Sequence, residues 1–120
     1  MASTARILIV DDDTNLTLLV TRFLSHASRY QVRAVNRPQE AIDAARDFRP
    51  DLILLDWDMP GMRGEEVLSE LRQCEEVAST RVALFTGRLR CNSDRAEGTW
   101  FLPKPIAMAT LLSNVQAILL

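Results

Sequence analysis

The side chains in this sequence that are equipped to do chemistry together are a run of aspartates, Asp11-Asp12-Asp13, a lone Asp56, Thr86 and the single lysine, Lys104. Asp56 closes the apolar run Leu52-Ile53-Leu54-Leu55 and is followed by Trp57-Asp58-Met59-Pro60-Gly61, a turn that cannot extend a strand. Asp11 closes Arg6-Ile7-Leu8-Ile9-Val10 in the same way. Asp11, Asp12 and Asp56, if brought close together, raise one another's pKa unless a cation relieves the repulsion. An all-oxygen donor set with room for water suits Mg2+, which readily shares its shell with a phosphate. An ammonium from Lys104 and a hydroxyl from Thr86 complete a cradle for a phosphoryl group. In such a cradle Asp56 is the nucleophile that forms an acyl phosphate, while metal and lysine spread the charge of the equatorial oxygens. Of the 14 basic residues every one but Lys104 is arginine. A compact ammonium does something there that a guanidinium fork cannot.

For these residues to meet, the chain must bring several strand ends to one place. The β-branched run 6–10 predicts a strand, and residues 14–27 a helix with Leu16, Leu19, Val20, Phe23 and Leu24 on its apolar stripe, capped by Asp13 or Thr14. Residues 31–35 read as a short strand. Asn36 and Pro38 mark the start of a helix whose stripe is Ala41, Ile42, Ala45 and Phe48. The run 52–55 has the continuous apolarity of a strand buried on both faces of a parallel sheet. Gly64, Glu65 and Glu66 open a helix with Val67, Leu68, Leu71 and Cys74 inward, its acidic first turn suited to the helix dipole. A strand over 81–85 ends at Thr86-Gly87. Residues 88–98 support only a short, poorly anchored helix, with Leu89 and Ala96 as its core candidates. A brief strand over 99–102 is broken by Pro103-Lys104-Pro105, and residues 106–120 close the chain as a helix with Leu111, Leu112, Val115, Ile118 and Leu119 on one side.

Strand and helix alternate five times, which predicts right-handed βαβ units. The fold class is α/β: a doubly wound, flavodoxin-like (βα)5 three-layer sandwich with parallel sheet order 2-1-3-4-5 and a shortened or irregular fourth helix. Its switch point falls between the first and third strands, so the topology gathers Asp11, Asp12 and Asp56 at the crevice where such sheets bind ligands.

Composition narrows the class further. At 120 residues the chain reads as one domain, 1–120, with 48% hydrophobic and 25% charged residues, an ordinary globular balance. A net charge of −2 with scattered arginines leaves no footprint for direct nucleic-acid binding. No apolar run is long enough for a signal peptide or a membrane span. Cys74 and Cys91 lack framework spacing and read as free thiols of a reducing cytoplasm, so the expected localisation is cytoplasmic. His26 stands alone on a helical stretch and reads as a surface or packing residue.

The chain resembles a response-regulator receiver domain of two-component signalling, of the chemotaxis-regulator kind. The likeness rests on Val10-Asp11-Asp12-Asp13, Pro50 to Asp56, Met59-Pro60-Gly61-Met62-Arg63-Gly64, Thr86-Gly87 and Lys104-Pro105, in that order and at those spacings, and it covers essentially the whole sequence. The resemblance implies that Asp56 is the phosphoacceptor, served by a sensor histidine kinase or histidine phosphotransfer protein. It implies Asp11, Asp12, Asp56 and the backbone carbonyl of Asp58 as Mg2+ ligands. It makes Thr86 the switch hydroxyl, Lys104 the phosphoryl-pairing lysine and Phe101 the switch aromatic, and it implies control of a downstream protein or a fused output domain. No enzyme activity is expected beyond the chain's own aspartyl phosphorylation and dephosphorylation.

Each assignment has a rival. Asp13 reads as a helix cap rather than a ligand. Trp57 and Trp100 read as packing or partner-contact residues. The resemblance implies that the positions of Asp58 and Arg88, two places after Asp56 and Thr86, tune how long the phosphoryl group survives, and the expectation is a salt bridge across the crevice mouth that hinders the hydrolytic water. The interval from Thr86 to Phe101 is about one helical turn short of the usual receiver, which points to an altered output surface. The last helix carries no charged residue, which makes it a candidate homodimer interface or contact with a following domain. The alternative function is a phosphorylation-independent pseudo-receiver that only binds. A haloacid-dehalogenase-type phosphatase, suggested by Asp56-Trp57-Asp58, is disfavoured because that family's nucleophile lies on the first strand of a longer chain.

Overall fold

The computed structural model describes residues 4–28, 30–86 and 99–120. The strands are β1 (Arg6–Val10), β2 (Gln31–Val35), β3 (Leu52–Asp56), β4 (Arg81–Thr86) and β5 (Thr99–Pro103), paired in parallel in the order β2-β1-β3-β4-β5. The helices among the described residues are α1 (Thr14–Ser28), α2 (Ala41–Phe48), α3 (Gly64–Gln73) and, last in the chain, α4 (Met108–Ile118). None of them is long and apolar enough to cross a membrane.

Alternation along the central strands decides what covers each face. Ile7 and Ile9 of β1 and Leu52 and Leu54 of β3 point to one side, where they pack with Val20 and Leu24 of α1 and Leu111 and Val115 of α4. Leu8, Val10, Ile53 and Leu55 point to the other, against Ala41 and Ala45 of α2 and Val67 and Leu71 of α3. All of these side chains are buried, and each leucine, isoleucine or valine among them contributes about 1.5–3 kcal/mol by leaving water. The sheet order, the parallel pairing and the cover on both faces are those expected from the sequence.

Several local readings change. Leu19 is 53% exposed, whereas Thr17 is buried on the core side of α1. Thr17 tolerates burial because its hydroxyl donates to the Thr14 carbonyl (3.1 Å) and accepts from Asn36 Nδ2 (2.8 Å). Asn36 does not open the second helix. Pro38–Glu40 forms a 3-10 turn ahead of α2, with Arg37 as its N-cap and no side-chain cap. The last helix is shorter than 106–120, beginning after Ala107, and Leu120 is fully exposed. Asp13 is the cap of α1: its Oδ1 accepts from the amides of Asn15 and Leu16, both at 3.1 Å. The fourth helix expected over 88–98, the Asp58–Arg88 pairing and Cys91 lie outside the described residues.

Candidate functional site

β1 and β3 pair in register as Val10↔Leu55, so the residues that follow, Asp11 and Asp56, emerge side by side at the carboxyl edge of the sheet. β4 continues to Thr86, with Asp56 opposite Phe85, and β5 ends at Pro103 opposite Thr86. The Lys104 amide donates to the Thr86 carbonyl (2.8 Å), which delivers the lysine to the same rim. The Lys104–Pro105 peptide is cis.

The lysine side chain lies between the two acids. Lys104 Nζ is 3.0 Å from Asp56 Oδ1 and 3.1 Å from Asp11 Oδ2. Asp56 Oδ1 also accepts from the Asp58 amide at 3.3 Å, and Asp11 Oδ1 from the Asp13 amide at 3.0 Å. The Asp11 and Asp56 side chains are almost wholly buried, at 1% and 5% exposure, while the lysine keeps a partly exposed flank. Burial pushes the Asp56 carboxyl up to about 6; the hydrogen bond from Lys104 opposes this and the Asp11 charge reinforces it. For Lys104, burial works against the ammonium, but the hydrogen bond to Asp56 and the Asp11 charge outweigh it, so its pKa rises.

Oxygens of Asp11, Asp12 and Asp56 lie within 4.8 Å of one another. Against these three carboxylates the described neighbourhood sets one ammonium. The surplus of negative charge, the hard oxygen donors and the exposed position of Asp12 fit a divalent cation that also keeps water in its shell. Of the expected residues, Asp11, Asp12, Asp56 and Lys104 meet directly. Thr86 is buried at the adjoining strand end, and Asp58 contributes its amide to Asp56. Phe101 sits half-buried on β5 opposite Leu84 and packs on the α2/α3 side of the sheet. There it meets the Trp57 ring edge-on, with centroids 6.2 Å apart and planes at 67°. Trp100 packs on the opposite side, with α1 and α4.

Two residues of the site escaped the sequence reading. Asn36, after β2, donates from Nδ2 to the Asp11 carbonyl at 2.9 Å. Gly64 opens α3 directly on the end of β3: its amide donates to the Trp57 carbonyl (2.9 Å), and a Cβ there would collide with the Asp56 carbonyl oxygen and lie 2.8 Å from Trp57 Cα. Gly64 carried a sequence signal, as a helix start and as part of the Met59-to-Gly64 motif, but neither pointed to its contact with the backbone of β3; the signal at Asn36, a helix start with Pro38, pointed away from Asp11.

Comparison with known proteins gives a consistent picture. The family model for the response regulator receiver domain matches residues 7–116. The polar-differentiation response regulator DivK of Brucella anthropi is 31% identical over 117 residues, which is 92% of this chain and 94% of that protein. The regulatory protein VanRB of Enterococcus faecalis is 35% identical over 115 residues, 95% of this chain. This chain spans about half the length of VanRB, at 52%. Among solved structures, the chemotaxis response regulator CheY4 of Vibrio cholerae superposes with a TM-score of 0.85 at 29% identity, covering 97% of this chain and 99% of that one.

Proposed function

The chain belongs to the response regulator receiver family, and from that premise we propose that Asp56 is the phosphoacceptor of a two-component phosphorelay, charged from a phosphohistidine. The observation that carries this reading is the bridge from Lys104 Nζ to Asp56 and Asp11 at 3.0 and 3.1 Å, beside a third carboxylate, Asp12. In the transfer an Asp56 oxygen attacks phosphorus, the phosphorus–nitrogen bond of the donor breaks, and the imidazole leaves with the electron pair. With its pKa held near 6, Asp56 is ionised and nucleophilic at pH 7. Lys104 then turns its ammonium from the carboxylate to a phosphoryl oxygen. Thr86 offers its hydroxyl to another, and Phe101 follows inward as the population shifts between two packings. Mg2+, held by Asp11, Asp12, Asp56 and the Asp58 carbonyl, would supply the remaining positive charge.

A sensor histidine kinase or histidine phosphotransfer protein is the proposed donor, and a downstream protein or fused output domain the recipient of the signal. The cytoplasm is the proposed compartment, since the donor chemistry draws on a nucleotide-charged kinase and no described helix is built to span a membrane. One phosphoryl group enters per Asp56 and leaves by hydrolysis, so the chain is not a turnover enzyme on other substrates. The uncharged outer side of α4 is the proposed homodimer surface; light scattering showing a strict monomer at high concentration, with and without a phosphoryl analogue, removes that part. The acceptor itself is tested by incubating the protein with acetyl phosphate and Mg2+ and weighing it intact. One added phosphoryl group is expected, absent from Asp56→Asn. An unmodified parent protein would instead indicate a pseudo-receiver that works by binding alone.

A further inference from the structure

The acidic cluster is gripped from outside by a residue that bears no charge. Asn36 Nδ2 donates to the Asp11 carbonyl at 2.9 Å and to Thr17 Oγ1 at 2.8 Å. A carbonyl oxygen only accepts, so the side-chain amide has one workable orientation. The Thr17 hydroxyl passes its own proton to the Thr14 carbonyl at 3.1 Å, which ties the arrangement to the first turn of α1. One residue before Asn36, the Val35 carbonyl accepts from the Asp11 amide at 3.1 Å. The end of β2 therefore holds Asp11 by both of its backbone polar groups.

The Asp11 carbonyl lies in the peptide plane that leads into Asp12. Because that unit is rigid, fixing its oxygen fixes the direction in which the chain leaves for Asp12. The Asp11 carboxylate is separately held by Lys104 and by the Asp13 amide. The carboxylate of Asp12 is exposed and takes no hydrogen bond or ion pair from another described residue. Its place relative to Asp11 and Asp56 thus depends on the backbone that Asn36 holds.

We propose that Asn36 is a positioning residue for the divalent-cation site: by pinning the Asp11–Asp12 peptide and anchoring it to α1 through Thr17, it pre-sets the two carboxylates for one ion. The proposal rests on the cation-site reading given above. Pre-set ligands lose little freedom on binding, and loss of such outer supports costs about 10–100-fold in metal affinity. The effect belongs to cation binding and not to the reactivity of Asp56, which Asn36 does not touch among the described contacts.

The test is a calorimetric Mg2+ titration of the metal-free protein, run beside the Mg2+ dependence of phosphorylation by acetyl phosphate and a thermal melt. Asn36→Ala is expected to raise the Mg2+ dissociation constant about ten-fold or more. The half-saturating Mg2+ concentration for phosphorylation should rise in parallel, with a much smaller change in the rate at saturating Mg2+. Thr17→Val, nearly the same shape, removes the anchor on α1. It should weaken Mg2+ by a smaller factor and shrink the effect of Asn36→Ala in the double variant. If Asn36→Ala does not fold, Thr17→Val alone carries the test. Folded variants that bind Mg2+ as the parent does overturn the role of Asn36, as does a saturating rate that falls as far as the affinity. A parent protein that binds no Mg2+, with Asp12→Ala unchanged from it, overturns the cation site itself and the proposal with it.

Discussion

Asp56 is buried beside a second carboxylate, and that burial, ahead of any neighbour, holds its carboxyl near 6 where an unfolded one titrates at 3.8. Between those two values the native state binds more protons than the unfolded state, so metal-free stability falls as pH rises from about 4 to about 6 and the loss is complete above it. Asp56→Asn should abolish that fall, leaving the variant more stable than the parent at pH 7 in the presence of a chelator. Urea titrations at pH 4.5 and 7 decide it; parallel pH dependence in the two proteins would contradict the argument. Saturating Mg2+ should narrow the gap, since an ion that binds only the native parent stabilises it by about 2.7 kcal/mol at a hundred times its dissociation constant. Asp11, Asp56 and Thr86 were legible in the sequence because each follows an apolar run, and a run's end is where a strand delivers its next residue to the rim; Asp12 came with Asp11, and Lys104 with the Pro103 that breaks the last strand. Asn36 was not legible. An asparagine two residues before a proline has a ready local meaning as a helix start, while its true partner is 25 residues away.

The packing of α3 on β3 and of α1 on the sheet carries the next predictions. Gly64 lets the first turn of α3 rest on the backbone of Asp56 and Trp57, so Gly64→Ala must push helix and strand apart, at about 1–3 kcal/mol. Gly61 is a different case. It sits at φ +84°, where a Cβ would meet only the flexible Gln39 side chain at an ordinary contact distance of 3.5 Å, and Gly61→Ala should cost only about 1 kcal/mol of backbone strain. Thermal melts of the two variants should rank them in that order, and equal losses would show that the α3 contact is looser than the structure indicates. On α1 the helical period admits more apolar residues than the core takes in. Leu16, Leu19, Val20, Phe23 and Leu24 all fit a helical period, yet the buried ridge runs through Thr17, Val20 and Leu24, and Leu19 falls outside it. Periodicity alone could not see this, because a buried threonine is admissible only once its hydroxyl partners, Thr14 and Asn36, are known. Leu54→Ala should therefore cost about 2–5 kcal/mol and Leu19→Ala less than about 0.5 kcal/mol. A comparable loss at both positions, measured by urea denaturation, would restore Leu19 to the core.

Across the whole molecule, the parallel sheet separates two apolar layers, with Trp57 and Phe101 in the α2/α3 layer and Trp100 in the α1/α4 layer. That architecture was legible because alternation of strands and helices leaves few topologies open, and because β1 and β3 are apolar on both faces. Helix ends were less legible: α4 stops short of the expected bounds since Ala107 and Leu120 offer neither a side-chain cap nor a buried contact. Every residue of β3 is buried, and the strand is bonded along one edge to β1 and along the other to β4. Amide hydrogens of Leu54 and Leu55 should therefore exchange with solvent only through global unfolding, at the same free energy by which urea unfolds the chain. Faster exchange there would reveal a local opening beneath Asp56. Such a strand makes a fixed anvil for its terminal carboxylate. A change of charge on Asp56 finds no give in the floor below it, so displacement is confined to the rim, where Thr86 ends β4 and Lys104 follows β5, and to Phe101 where it meets Trp57.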